Sequence, residues 1–257
     1  MTAMSQMKVD LTGRVALVTG AAQGIGQAIA RRMAECGAQV HLADINVQAA
    51  RTFSAGYGWP VHGLDIADRS AAHATAAAVV KHSGRLDILV NGAGGVRGQV
   101  GGPIETVTEA GWSAIFDANI HGAFWMAQAC APAMQAAGWG RMIHIASGAG
   151  LRPSLTGIQA YTAAKHALVG LAKQLSQDLG PQGITSNAIA PGFILSNPTT
   201  QRQWEAYGPE GQQRLLESIH TRRLGSPEDI AATAAFLASD HAGWLTGQVI
   251  SVDGGRS

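Results

Sequence analysis

Seven short apolar runs recur along the chain, separated by longer stretches in which apolar residues return every three or four positions. The runs are RVALVTG (14–20), AQVHLAD (38–44), PVHGLD (60–65), LDILVN (86–91), RMIHIA (141–146), ITSNAIA (184–190) and QVISV (248–252). Several are apolar nearly throughout, the pattern of strands covered on both faces. Between them GIGQAIARRMAEC, RSAAHATAAAVVKH, AGWSAIFDANIHGAFWMAQACAPAM, AYTAAKHALVGLAKQL and PEDIAATAAFLASD read as helices. The last has a clear start. Ser226 can cap it, Pro227 suits its first turn, and Glu228 and Asp229 sit at the positive end of its dipole.

Strands alternating with helices predict an α/β fold, a doubly wound parallel sheet of seven strands with helices on both faces. No Pro/Gly/Ser linker, composition shift or internal repeat divides the chain, so residues 1–257 read as a single domain. One segment breaks the rhythm. Residues 192–225 are polar, hold two prolines, and contain Trp204 and Tyr207. An insertion after a strand's carboxyl end, here about 193–225, is the expected place for a substrate lid.

Composition narrows the function. Hydrophobic residues make up 46% of the chain and charged ones 14%, so it is a well-buried globular protein. The net charge is +1 and no dense basic run occurs, which argues against broad binding to nucleic acid or an anionic membrane. Cys36 and Cys130 form no CxxC, and no signal-like or membrane-spanning run is present. The expectation is a reduced, cytoplasmic protein. The nine histidines show no ligand spacing, so no metal is expected. His41 and His144, inside strands, read as packed or satisfied core residues. Ser147 in IASGA lacks the GxSxG elbow of serine hydrolases.

Two places carry chemistry. VALVTGAAQGIGQAIA sets Gly20, Gly24 and Gly26 between a strand and a helix start. Glycines there let the backbone approach a pyrophosphate, and the helix N-terminus favours its charge. The spacing is GxxxGxG rather than the usual GxGxxG, so this signal alone is moderate. Asp44 ends the second strand, 18 residues after Gly26. A carboxylate there can accept hydrogen bonds from an adenosine ribose and repels a 2′-phosphate. No arginine stands beside it and Gln23 is neutral, which favours NAD over NADP. Asp44 could instead simply cap the helix opening near Asn46.

The second place is Tyr161 and Lys165. On a helical wheel Tyr161 falls inside the apolar stripe of Ala164, Leu168, Leu171, Leu175 and Leu179, and Lys165 falls at its edge. A lysine is rarely turned inward without a partner. Free tyrosine titrates near pH 10, and a nearby ammonium favours the phenolate. Such a phenol can exchange a proton with an alcohol or carbonyl while hydride moves to or from a nicotinamide. Ser147 is a candidate to hold the substrate oxygen, although a turn or cap role is the plainer reading.

With these residues assembled, the chain resembles the short-chain dehydrogenase/reductase family over about residues 9–255. TGAAQGIG (19–26) resembles its cofactor loop, with Gln23 and Ile25 among the contacts, and Asp65 with Ile66 stands where the family holds adenine. NGAG (91–94) stands at its Asn-Asn-Ala-Gly turn, giving Asn91, Gly92 and Ala93, with Gly92 in the second Asn place. YTAAK (161–165) matches the catalytic motif, Ser147 the catalytic serine, and Asn119 the asparagine that completes a proton relay through water and Lys165. PGFILS (191–196) matches the segment after the sixth strand, giving Pro191, Gly192, Ile194 and Ser196, the last where a threonine usually holds the carboxamide.

The resemblance implies a Rossmann-like fold and a homotetramer. It makes Tyr161 the general acid/base, helped by Lys165, which also holds the nicotinamide ribose. Ser147 and Tyr161 are 14 apart where 13 is commoner, so the intervening loop carries an extra residue or the serine register slips.

Arg97, Arg152, Gln159, Arg202, Trp204 and Tyr207 fall in the segments expected to line a substrate pocket. Guanidinium beside aromatic groups suits a small hydroxylated substrate such as a sugar, polyol or deoxy sugar acid. Two rivals stand against this reading: an NADPH-dependent carbonyl reductase of the 3-oxoacyl-carrier-protein type, and a dinucleotide-sensing protein without catalysis.

Overall fold

All seven expected strands form. In the computed structural model, which describes residues 8–256, they are β1 (Val15–Thr19), β2 (Gln39–Asp44), β3 (Val61–Gly63), β4 (Ile88–Asn91), β5 (Gly140–Ile145), β6 (Ile184–Pro191) and β7 (Val249–Val252). They pair in parallel as one sheet of order β3-β2-β1-β4-β5-β6-β7. The helices between them are α1 (Gly24–Glu35), α2 (Val47–Ser54), α3 (Arg69–Ser83), α4 (Glu109–Phe116), α5 (Gly122–Ala137), α6 (Gln159–Leu179), α7 (Pro198–Ala206), α8 (Gly208–Ser218) and α9 (Pro227–Ala238).

Period-two alternation sends neighbouring residues of β1 into two separate layers. Ala16 and Val18 pack with Ile29 and Met33 of α1 and Ile230 and Ala234 of α9. Val15 and Leu17 pack with Ala72 and Val79 of α3 and Met126 and Met134 of α5. Each large side chain so buried contributes roughly 1.5–3 kcal/mol, which makes this two-sided core the main support of the sheet. Chain order reverses between β1 and β4, which lie side by side, so a crevice opens at their carboxyl ends. Among the described residues no helix is long and apolar enough to cross a membrane.

Three elements differ from the sequence reading. Helix α2, whose opening near Asn46 was expected with Asp44 as its possible cap, is only eight residues long, and Asn46 caps it by accepting from the Ala49 N–H. The long helix expected over 110–134 forms without a break from Glu109 to Ala137, but it widens at Asp117–His121, where the Asn119 amide donates to the Ile115 carbonyl. The segment after β6 holds two helices. Asn197 and Thr200 form a reciprocal cap with Pro198 in the first turn of α7. Its apolar face is narrow, which hides it in a polar stretch: Phe193, Leu215 and Ile219 make a small core, with Trp204 and Tyr207 against it.

Candidate active site

The crevice begins at the turn after β1. Gly20 has φ +70, and a Cβ on it would lie 2.7 Å from the Ala93 nitrogen. Gly24 has φ +55, and a Cβ there would strike the Ser196 carbonyl. Only glycine lets these three strand ends close together. Helix α1 then starts without a side-chain cap and without an acidic residue in its first turn. Helices α3 and α9, by contrast, are capped by Asp68 and Ser226. The free N–H groups and positive end of α1 therefore point at an anion site, and these residues fit a dinucleotide's pyrophosphate.

Asp44 closes the same turn. One of its oxygens accepts the Ala22 N–H at 2.9 Å and the other accepts the Asn46 N–H at 2.8 Å. It therefore both braces the glycine loop and supports the turn into α2, and each oxygen keeps a lone pair for a ribose hydroxyl. Gln23 is exposed, and Ile25 packs against the α1–α9 layer. Asp65 is exposed just beyond β3, while Ile66 is buried against Gly122. Gly92 and Ala93 are held by their N–H groups on the Thr19 hydroxyl, at 3.1 and 3.2 Å. Thr19 was not singled out as a site residue, although it heads the TGAAQGIG motif. Pro191 and Ile194 are buried, and Gly192 packs on the Asp253 backbone. Ser196, whose N–H donates to Thr200, faces Gly24 across the crevice.

Asn91 departs from expectation. Its amide donates to the Ala123 carbonyl at 3.1 Å and meets His144 at 3.2 Å. His144 in turn meets Ser186 at 3.2 Å. The Asn91 side chain thus joins a buried polar row beneath the crevice through its amide nitrogen, while its Oδ1 has no partner among the described residues.

Helix α6 carries the tyrosine and the lysine. Lys165 is 4% exposed, and its Nζ donates to the Ile145 carbonyl at 2.8 Å. The same nitrogen lies 5.7 Å from the centre of the Tyr161 ring. Ser147 caps the short turn Gly148–Gly150 through the Ala149 N–H, and its hydroxyl lies near enough to the Tyr161 phenol to favour the phenolate. The extra residue between Ser147 and Tyr161 is absorbed in the loop over 151–158, so the pair still meets. Asn119 is buried and holds Gly95 at both backbone atoms, which fixes the loop after β4 beside Tyr161's neighbour Val96.

One electrostatic expectation is corrected. Lys165 does not hold the phenol low in the free chain. Burial pushes the Tyr161 phenol up, and the nearby Ser147 hydroxyl opposes this only in part. Burial likewise pushes Lys165 down, to about 8. The same loss of water disfavours the charged form of both groups, and the ammonium, 5.7 Å from the ring centre, donates to the Ile145 carbonyl. His144, pushed down to about 4 by burial and by Lys165, stays neutral beneath them.

The expected substrate residues separate. Arg202 is exposed on α7 and bonds Thr199 of its own helix, so it leaves the set. Gln159 is tied to the Gly102 carbonyl at 2.9 Å and braces the loop after β4. Arg97 is exposed in that loop, with a left-handed φ of +51. Trp204 and Tyr207 pack on Phe193, with ring centres 6.1 and 5.8 Å away. Arg152 turns inward and pairs with Asp253 at 3.0 Å.

Comparison with known proteins agrees with this architecture. A sequence family described as enoyl-(acyl carrier protein) reductase matches residues 20–257. The chain is 39% identical to (2S)-[(R)-hydroxy(phenyl)methyl]succinyl-CoA dehydrogenase subunit BbsD of Thauera aromatica, over 97% of this chain and 98% of that one. It is 38% identical to D-threitol dehydrogenase of Mycolicibacterium smegmatis, over 99% and 98%. The solved structure of 7α-hydroxysteroid dehydrogenase complexed with NADH and 7-oxo glycochenodeoxycholic acid superposes with a TM-score of 0.90, at 33% identity, covering 98% of each chain. With its seven-stranded parallel sheet and these relatives, the chain belongs to the short-chain dehydrogenase/reductase family, and is an oxidoreductase that uses a nicotinamide dinucleotide.

Proposed function

We propose that the protein is an NAD-dependent dehydrogenase that interconverts a secondary alcohol and a ketone on a small hydroxylated substrate, a sugar, polyol or deoxy sugar acid. The observation that carries the reaction class is the convergence of Tyr161, Ser147 and buried Lys165 at the carboxyl end of β5. A bound nicotinamide supplies the hydride acceptor or donor. Ser147 orients the substrate oxygen. Tyr161 takes the hydroxyl proton as the alcohol is oxidised, or returns it to the carbonyl oxygen as the ketone is reduced. Lys165 keeps positive charge beside the ring, and Asn119 fixes the loop that shapes the crevice.

Because burial raises the phenol, Tyr161 is protonated at neutral pH in the free chain, which suits proton donation to a carbonyl. NAD is favoured by Asp44, whose charge repels a 2′-phosphate, and by the lack of a basic side chain in the Asp44–Gln48 turn. The polyol reading is supported by the resemblance to D-threitol dehydrogenase. In this reading α7 and α8 are the lid over the substrate. The test is turnover of the purified chain with NAD and with NADP, on a panel of polyols, sugar acids, acyl thioesters and steroids. NAD-linked oxidation of polyols or sugar acids is expected. Activity restricted to thioesters with NADPH would overturn the reading.

A further inference from the structure

Arg152, Asp253 and Arg256 form a cluster near the loop of Ser147 that, among the described residues, holds two cations and one carboxylate. Gly148 follows Ser147 directly and has no side chain. A Cβ placed on it would lie 3.5 Å from Nη2 of Arg152 and 3.6 Å from the Pro191 carbonyl. The Arg152 guanidinium therefore reaches the loop that presents Ser147. It donates to Asp253 Oδ2 at 3.0 Å and to the Arg256 carbonyl at 2.6 Å. The other oxygen of Asp253 accepts the Gly255 N–H at 3.1 Å.

The tail is bent to reach this place. Gly254 and Gly255 have φ of +69 and +82, a left-handed pair that non-glycine residues resist. The Gly254 carbonyl accepts the Thr221 N–H at 3.1 Å, which ties the tail to the segment after α8.

Arg256 itself is left over. Its Nε is buried with no hydrogen-bond partner, and among the described residues no carboxylate lies within salt-bridge distance of its guanidinium. Burial and the like charge of Arg152 push its pKa below the ordinary value, and Tyr207 of α7's end is near enough to act on it. Two guanidinium groups thus stand near one carboxylate, and among the described residues only Arg152 is paired with it. An unpaired buried donor on a cation is costly until an acceptor arrives.

We propose that Arg256 is a specificity residue that binds the carboxylate of an anionic hydroxy substrate, on a tail that Arg152 holds through Asp253 and the Arg256 carbonyl near the loop of Ser147. This rests on the dehydrogenase reading for the identity of the ligand as substrate. Among the described residues, one excess positive charge carried on a planar guanidinium matches a monoanionic carboxylate better than a phosphate dianion. Among the candidate substrates this favours sugar acids over neutral sugars and polyols.

The test is direct binding of benzoate and of benzamide, its neutral isostere, to the NADH-loaded chain by calorimetry, which needs no turnover. Benzoate is expected to bind about tenfold or more tightly than benzamide, a usual margin for a charge-assisted pair. Arg256→Gln is expected to erase the difference by weakening benzoate alone. Arg256→Lys, which keeps the charge and loses the planar fork, is expected to retain part of it. Equal affinities in the native chain, or a preference that survives in Arg256→Gln, would overturn the proposal. Native chain that turns over neutral polyols yet shows no preference for benzoate sinks the subsite and leaves the dehydrogenase reading. Native chain that prefers benzoate through Arg256 but oxidises no alcohol does the reverse.

Discussion

Replacing Lys165 by methionine is expected to change stability in a way that depends on pH, because the lysine is held where water cannot reach it. Its pKa falls from an ordinary 10.5 to about 8 on folding. Between those values the unfolded chain binds the proton more tightly than the folded one. Stability therefore rises with pH through this window, and below pH 8 the full cost of burying the charge is present. At about 1.36 kcal/mol per pH unit, that cost is about 3 kcal/mol at pH 7 and falls to about 1 kcal/mol at pH 10. Methionine removes the charge at every pH. It also leaves the Ile145 carbonyl without its partner, at a cost of roughly 1–3 kcal/mol that does not vary with pH. The advantage of Lys165→Met over the native chain should thus shrink by about 2–3 kcal/mol from pH 7 to pH 10, or about 5–10 °C in Tm. Thermal unfolding of both proteins by circular dichroism, at half-unit pH steps, measures it. Parallel curves across this range would show that the lysine is not desolvated as described.

Three further outcomes follow from other parts of the molecule. His41 and His144 are both fully buried and pushed down to about 4, so the unfolded chain binds protons more tightly below pH 6.5; each should lower stability by about 3 kcal/mol as pH falls from 7 to 4, and His41→Leu should flatten that slope in calorimetric scans. Gly24→Ala forces a Cβ toward the Ser196 carbonyl at a left-handed φ, and should weaken NADH binding by about tenfold or more in a fluorescence titration. Asp44→Asn keeps an acceptor in the turn but removes the charge, so the ratio of kcat/KM for NAD to that for NADP should fall by about tenfold; an unchanged ratio would show that Asp44 only braces the glycine loop.

The sheet was legible because parallel strands buried on both faces must be apolar along their whole length, and LVT, HLA and ILV leave little else to read. Tyr161 and Lys165 were legible for a related reason. A charged residue at the edge of an apolar helical stripe is costly, so its presence signals a task. The lid helices were hidden because their stability comes from a cap at Asn197 and a small cluster on Phe193, neither of which produces a wide apolar stripe. Sequence spacing also could not show what the side chains of Asn91, Gln159 and Arg152 hold. Their partners lie 32, 57 and 101 residues away. The direction of the Tyr161 pKa was misjudged for want of one fact, the depth of burial, which outweighs the neighbouring charge.

The central claim, that the Tyr161 phenol exchanges the proton while hydride crosses to the nicotinamide, is tested most directly by the single-turnover rate of Tyr161→Phe beside its affinity for NADH. Phenylalanine keeps the ring packed on Val96 and Ile158 and removes only the hydroxyl. The rate is expected to fall by about 10²–10⁴-fold with NADH affinity within about threefold of native. A Tyr161→Phe protein that bound NADH normally and turned over at the native rate would contradict the account.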